Sequence, residues 1–243
     1  MATMLQSAEP APALLDHRRL ESVDVEAFRQ QQPYPWLHAE QLLTAEAYIT
    51  LRQALPDLSR FSAVFGRRRP HGQAYHDRYA LQYRPWQSYP RPWQELIAEL
   101  QGDAYRRFVQ RLVGEDGFVL HFHWHYTPNG CSVSPHCDAP WKLASHIFYF
   151  NTEEDWDPAW GGETLVLDDG GGFTSRSAPK FDSFVRAISC PSLGNRSLFF
   201  LRGDHSWHGV RPLTCPEGRF RKVFIAEVRR RTPMMLVRTS LGF

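Results

Sequence analysis

The stretch Pro135-His136-Cys137-Asp138 organises the reading of this 243-residue chain. In extended backbone, side chains two apart point to the same face, so His136 and Asp138 present an imidazole nitrogen and a carboxylate oxygen to one point in space, with Cys137 turned away. A metal ion fits between such a pair. His-x-Asp alone is common by chance, and its neighbours give it weight. Upstream lies Tyr126-Thr127-Pro128-Asn129-Gly130, a strand end running into a turn. Far downstream come Ser206-Trp207-His208-Gly209-Val210 and then a basic strand start, Arg219-Phe220-Arg221-Lys222-Val223.

The segments around these motifs define the fold class. Phe118 to Tyr126, Leu143 to Phe150, Glu163 to Leu167, Phe184 to Ile188, Ser197 to Leu201 and Arg219 to Val228 are short apolar or alternating runs separated by Gly, Pro, Asn and Asp turns. Strands at this spacing indicate an antiparallel sandwich or jelly roll. Before Gly114 the period is helical. Thr44 can cap a helix carrying Ala47, Leu51 and Leu55 until Pro56 interferes. Pro92 suits the first turn of a helix with Leu96, Ile97 and Leu100, and Asp103 can cap one with Tyr105, Phe108, Val109 and Leu112. Gly66 to Pro92, rich in Arg, Tyr, Gln and Pro, has no clear period and reads as a long surface excursion.

The expected architecture is therefore α+β, one domain in which helices precede a β-sandwich and pack with it as a unit. Its parts are a flexible tail over 1–15, a mainly helical part over 16–115, a jelly-roll core over 116–230 and a C-terminal extension over 231–243.

A hydrophobic fraction of 42% with eight Trp marks a globular chain, and a net charge of +2 implies no nucleic-acid footprint. Cys131, Cys137, Cys190 and Cys215 form no C-x-x-C pair and read as free thiols in a reducing compartment. The N-terminus lacks a signal-peptide pattern and no stretch approaches the length of a membrane span, so the expectation is a cytoplasmic protein without a membrane partner. The oligomeric state is not written in the sequence.

Tyr126-x-Pro128-x-Gly130, His136-x-Asp138, Ile147-Phe148-Tyr149-Phe150-Asn151, Trp160-Gly161-Gly162-Glu163-Thr164 and Trp207-His208-Gly209-Val210 before an Arg-led strand together resemble the prolyl-hydroxylase-like branch of the Fe(II)- and 2-oxoglutarate-dependent dioxygenases. The resemblance spans roughly residues 118–228. It implies a double-stranded β-helix with His136, Asp138 and His208 as metal ligands. Two neutral imidazoles and one carboxylate leave three positions of an octahedron for 2-oxoglutarate and O2. The implied reaction hydroxylates an unactivated C–H of an amino-acid-type substrate (a prolyl or other residue, or a small metabolite), releasing succinate and CO2, with ascorbate as a stimulant. Asp138 favours hydroxylation over halogenation, because a halogenase leaves that position to halide.

The far carboxylate of 2-oxoglutarate calls for a buried arginine, whose planar fork binds carboxylate bidentately. Arg221 is favoured because Val223 and Ile225 continue an inward apolar face, whereas Arg219 is closer to the family spacing after His208. The resemblance gives Tyr126 a hydroxyl that helps hold the cosubstrate. If Tyr126 points into the barrel, then His121, His123 and His125 point out. His205 reads as a solvent-facing or supporting group, and His76-Asp77 as unrelated to the metal. Trp207 is divided evenly between pocket wall and packing. Arg67 to Arg69 and Tyr75 to Tyr83 are candidates for a lid over the barrel mouth, which suits an anionic or extended substrate. The rival readings are a cupin-like metal-binding sensor or storage module, which needs no inward arginine, and a metal-free interaction domain.

Overall fold

A computed structural model describes residues 12–231. The expected tail and C-terminal extension therefore fall largely outside the described residues. Within them, the tail ends earlier than expected. Glu99 accepts hydrogen bonds from the backbone N–H groups of Leu14 (2.7 Å) and Leu15 (3.1 Å), and the Leu15 side chain is buried.

The chain then builds α1 (His17–Ser22), α2 (Val25–Gln30), β1 (Trp36–Glu40), α3 (Ala45–Gln53), β2 (Ser62–Val64), β3 (Arg78–Gln82), α4 (Arg91–Gln101) and α5 (Asp103–Val113). Short polar side chains start the early helices. Asp16 caps α1, Asp24 caps α2, and the Thr44 hydroxyl accepts from Ala47 N–H at the head of α3. Asp103 is the first helical residue of α5 and Gly102 occupies the cap; Gly114, in the left-handed conformation at φ 81°, ends that helix.

This region is not simply helical. Its three strands join the large sheet, and β3 lies inside what reads in sequence as an irregular excursion. That strand alternates, with Tyr79 and Leu81 packed in the core while Arg78, Ala80 and Gln82 face a cavity. Its polar inward side hides the period.

After Gly114 come β4 (Phe118–Pro128), β5 (Val133–His136), β6 (Lys142–Tyr149), β7 (Thr164–Asp168), β8 (Arg186–Cys190), β9 (Arg196–Leu201), β10 (Trp207–Val210) and β11 (Phe220–Arg230). They form two antiparallel sheets, β1-β9-β6-β11-β4-β3-β2 and β5-β10-β7-β8. The eight strands β4 to β11 thus divide between two facing sheets in jelly-roll order, the double-stranded β-helix expected from the sequence.

The two faces of the large sheet differ. Its outer face packs on α4 and α5, where Trp93, Leu96, Ile97, Tyr105 and Phe108 meet Phe122, Trp124, Phe148 and Phe224. Trp93 alone lies 5.0 to 5.1 Å, ring centroid to centroid, from Trp124, Phe150 and Phe224. Side chains of this size each contribute roughly 1.5–3 kcal/mol by burial, so the helices are fixed to the sheet. The inner face is held partly by Ile147, Tyr149, Leu198, Phe200 and Val223 against Val166, and partly by polar groups around a cavity. No helix among the described residues is long and apolar enough to cross a membrane.

Candidate active site

Strand register puts the histidines together. β10 runs antiparallel to β5 with His208 directly opposite His136, so the pleat sends both side chains to the same face, ring centroids 4.3 Å apart. Asp138 lies two residues past the end of β5 and turns inward beside them. The ligand atoms of His136, Asp138 and His208 all lie within 4.8 Å of one another, and all three residues are buried.

Each imidazole is pinned in one tautomer. His136 Nδ1 lies 2.9 Å from the Ser134 carbonyl and His208 Nδ1 lies 3.0 Å from that of Ser206. A carbonyl only accepts, so Nδ1 carries the proton and Nε2 keeps its lone pair for the cluster. Burial holds both rings neutral at ordinary pH by lowering their pKa. Asp138 accepts from Lys142 Nζ (2.8 Å) on one oxygen and from Ser145 Oγ (2.7 Å) on the other. Burial alone raises its pKa, but the positive charge of Lys142 beside it outweighs that and holds it below the usual carboxylate range. Two neutral nitrogens and one ionised oxygen are therefore available, a donor set that fits Fe(II).

Arg221 is the buried arginine. It lies on the inner face of β11, 5% exposed, with Nε donating to the Gly162 carbonyl (2.5 Å) and Nη2 to Thr164 Oγ1 (3.0 Å). Tyr149 completes the group, donating its hydroxyl to Thr164 Oγ1 (2.8 Å) with its ring under the guanidinium. Gly162 takes φ 104°, a conformation that residues with a side chain rarely adopt, and from it presents its carbonyl to Arg221. No carboxylate pairs with Arg221 among the described residues. A buried guanidinium left unpaired costs several kcal/mol, so the geometry fits an incoming carboxylate. Arg219 is excluded; it precedes β11, is exposed, and lines a separate surface hollow with Trp156 and Trp160.

The expectations for β4 need inverting. Tyr126 lies on the helix-facing side, stacked on Phe61 at 4.2 Å with its hydroxyl donated to the Pro56 carbonyl at 3.1 Å, away from the cluster. His123 and His125 share the inner face with Arg221 and line the cavity that holds the cluster. Tyr126 was the wrong reference for this parity. The helices make the outer face apolar, and the chamber is the polar side. Burial pushes His123 down to about 4 and His125 well below the ordinary range, so both are neutral.

Other expectations divide. His76 belongs to the site after all, packed edge-on to His136 at 4.5 Å and bonded to Ser134 Oγ at 2.9 Å. Of the three arginines at 67–69, only Arg69 lines the cavity. His205 pairs with Asp169 (2.9 Å), outside the cluster. Trp207 is fully buried against Phe173 and Phe184 and serves packing. Cys137 turns its thiol to the Asp204 carbonyl. Tyr149 and Thr164 lie inside motifs quoted above without a role assigned. Lys142, Ser145 and Glu227 were missed; Glu227, and Ser145 opposite it, follow from inward parity once Arg221 sets the reference, whereas Lys142 reaches the same side through a register shift between β6 and β11.

A jelly roll whose open end gathers two imidazoles, a carboxylate and a buried unpaired arginine around a cavity of about 550 Å³ is the architecture of an iron- and 2-oxoglutarate-dependent oxygenase. Comparison with known proteins gives the family. Residues 120–226 match the 2OG-Fe(II) oxygenase superfamily, and this match supports an oxygenase that uses Fe(II), 2-oxoglutarate and O2. No curated protein matches the chain in sequence. Among solved structures, a Pseudomonas putida prolyl-4-hydroxylase is similar with a TM-score of 0.60 at 16% identity, covering 85% of this chain and 97% of that one. A Trichoplax adhaerens prolyl hydroxylase, solved with a hypoxia-inducible-factor peptide fragment, gives 0.62 at 14%, covering 88% and 90%. The non-haem α-ketoglutarate-dependent carbocyclase SnoK from nogalamycin biosynthesis gives 0.59 at 14%, covering 87% and 85%. At these identities the likeness establishes the fold.

Proposed function

We propose that this oxygenase is a hydroxylase of an unactivated C–H in an amino-acid-type residue or small metabolite, with His136, Asp138 and His208 as the iron ligands and Arg221 as the anchor of 2-oxoglutarate. The observation that carries the reading is the convergence of the three ligand atoms within 4.8 Å, in the same cavity as a buried arginine without a counterion. Iron with 2-oxoglutarate and O2 supplies the oxidant: one oxygen atom enters the substrate and the other enters succinate, with loss of CO2. The chain's own residues do the positioning. His136 and His208 keep Nε2 unprotonated through their carbonyl partners, and Lys142 and Ser145 fix the plane of the Asp138 carboxylate. Arg221, steadied by Gly162, Thr164 and Tyr149, orients the cosubstrate through its far carboxylate.

A cupin-like sensor or storage module needs neither Arg221 nor its supports, so the arginine favours the enzyme reading. Asp138 occupies the position a halide would need. Anaerobic titration of the Fe(II) protein with 2-oxoglutarate tests the assignment: a weak visible charge-transfer band is expected in the wild type and not in Asp138→Ala. Wild type forming succinate no faster than that variant, across a broad panel of amino acids, peptides and metabolites, sinks it.

A further inference from the structure

Charge inside the barrel does not balance, and the surplus is local. Lys142 bridges Asp138 (2.8 Å) and Glu227 (2.7 Å), and Arg229 pairs with Glu227, so these four groups neutralise one another in place. Arg221 faces the region assigned to the far carboxylate of 2-oxoglutarate. Arg69 and Arg78 line the same cavity and pair with no carboxylate among the described residues. Arg69 Nε is fully buried and has no hydrogen-bond partner. Arg78 is held only by neutral acceptors, the His76 carbonyl (2.6 Å) and His125 Nε2 (3.2 Å).

Two unpaired guanidinium groups in one partly dry chamber repel each other and lose hydration. Burial first, and Arg69 next, pull the Arg78 pKa down. Of the side chains lining the cavity, five are cationic and two are carboxylates; the charges of Fe(II) and 2-oxoglutarate cancel, so the loaded chamber keeps a surplus of three positive charges. Such a surface is complementary to an anion other than the cosubstrate. Trp141, 55% exposed, stands on the same cavity wall and offers an apolar plate beside the cations.

We propose that the substrate is a small molecule bearing an oxyanion (carboxylate, sulfate or phosphate), which Arg69 and Arg78 clamp in the cavity while its apolar part lies on Trp141. This rests on the iron and 2-oxoglutarate reading and names the substrate class for that site.

The test is binding of inorganic sulfate to the protein loaded with Mn(II), as a non-turnover substitute for iron, and with saturating 2-oxoglutarate. Tryptophan fluorescence is followed at constant ionic strength in wild type, Arg69→Gln, Arg78→Gln and the exposed neighbour Arg68→Gln. The wild type is expected to saturate with sulfate. Arg69→Gln and Arg78→Gln should each bind about 10- to 100-fold more weakly, the loss of a charge-assisted contact, and Arg68→Gln should match the wild type. Without sulfate, Arg69→Gln should melt at or above the wild-type temperature, because it removes a half-buried charge that pairs with no carboxylate among the described residues. The proposal is overturned by a wild type that does not saturate, by Arg68→Gln weakening binding as much as Arg69→Gln, by Arg69→Gln lowering the melting temperature, or by Arg69→Gln weakening 2-oxoglutarate binding as Arg221→Gln does. The anaerobic Fe(II) band with 2-oxoglutarate separates the two readings. Its absence in the wild type removes the parent assignment, whereas its presence with no sulfate discrimination removes only the substrate class.

Discussion

On β11, neighbouring residues belong to two different environments. Phe224, Ala226 and Val228 turn toward the helices and join Trp93, Trp124 and Phe148 in a dry aromatic core. Arg221, Val223, Ile225 and Glu227 turn the other way and line the chamber. The first set is chosen for volume and shape, the second for charge and hydrogen-bonding capacity. One pleated strand thereby joins a stability element to a reaction vessel, and each substitution should act on one of the two.

The largest expected effect is on the chamber side. Asp138→Ala should abolish 2-oxoglutarate-dependent succinate formation, exceeding the ~100-fold losses typical of changes around a metal's ligands, while circular dichroism stays wild type. Metal analysis of the purified variant checks the cause, with stoichiometric iron retained in Asp138→Ala counting against the comparison. Next, on the core side, Phe224→Ala should lose about 3–5 kcal/mol of stability in urea unfolding, yet bind 2-oxoglutarate normally below its transition. Arg221→Gln should raise the 2-oxoglutarate concentration for half-saturation by about 10- to 100-fold through loss of a charge-assisted contact, while without cosubstrate it melts at or above the wild-type temperature. The smallest effect sharpens the parity argument. Tyr126→Phe removes one hydrogen bond to the Pro56 carbonyl and should lower stability by ~1 kcal/mol while leaving 2-oxoglutarate half-saturation unchanged. A raised half-saturation there would return Tyr126 to the cosubstrate and contradict the face it occupies.

Much of this arrangement was legible before any coordinates. His136, Asp138 and His208 could be picked out because two of them share a tripeptide and the third sits in a Trp-His-Gly-Val run, motifs whose order matches a known family. Arg221 was legible over Arg219 because Val223 and Ile225 mark the inner face of its strand. The histidines of β4 were not. Polar residues on a strand normally mean solvent, and here α4 and α5 cover the apolar side, reversing the usual correspondence. β3 escaped for the same reason, its inward Arg78 and Gln82 looking like loop residues. Lys142 and Glu227 approach each other only through the pairing of β6 with β11, a contact between residues 85 apart in sequence that no local pattern encodes.

The direct opposition of His136 and His208 across β5 and β10 has a mechanical meaning. A bound ion cross-links two neighbouring strands of the four-stranded sheet, so its binding energy adds to the cohesion of that sheet. The seven-stranded sheet, already fastened to helices, gains much less. On the proposed ligand set, iron would stiffen one wall of the barrel most, and hydrogen exchange on chelation should quicken in β5 and β10 before it does in β4 or β11.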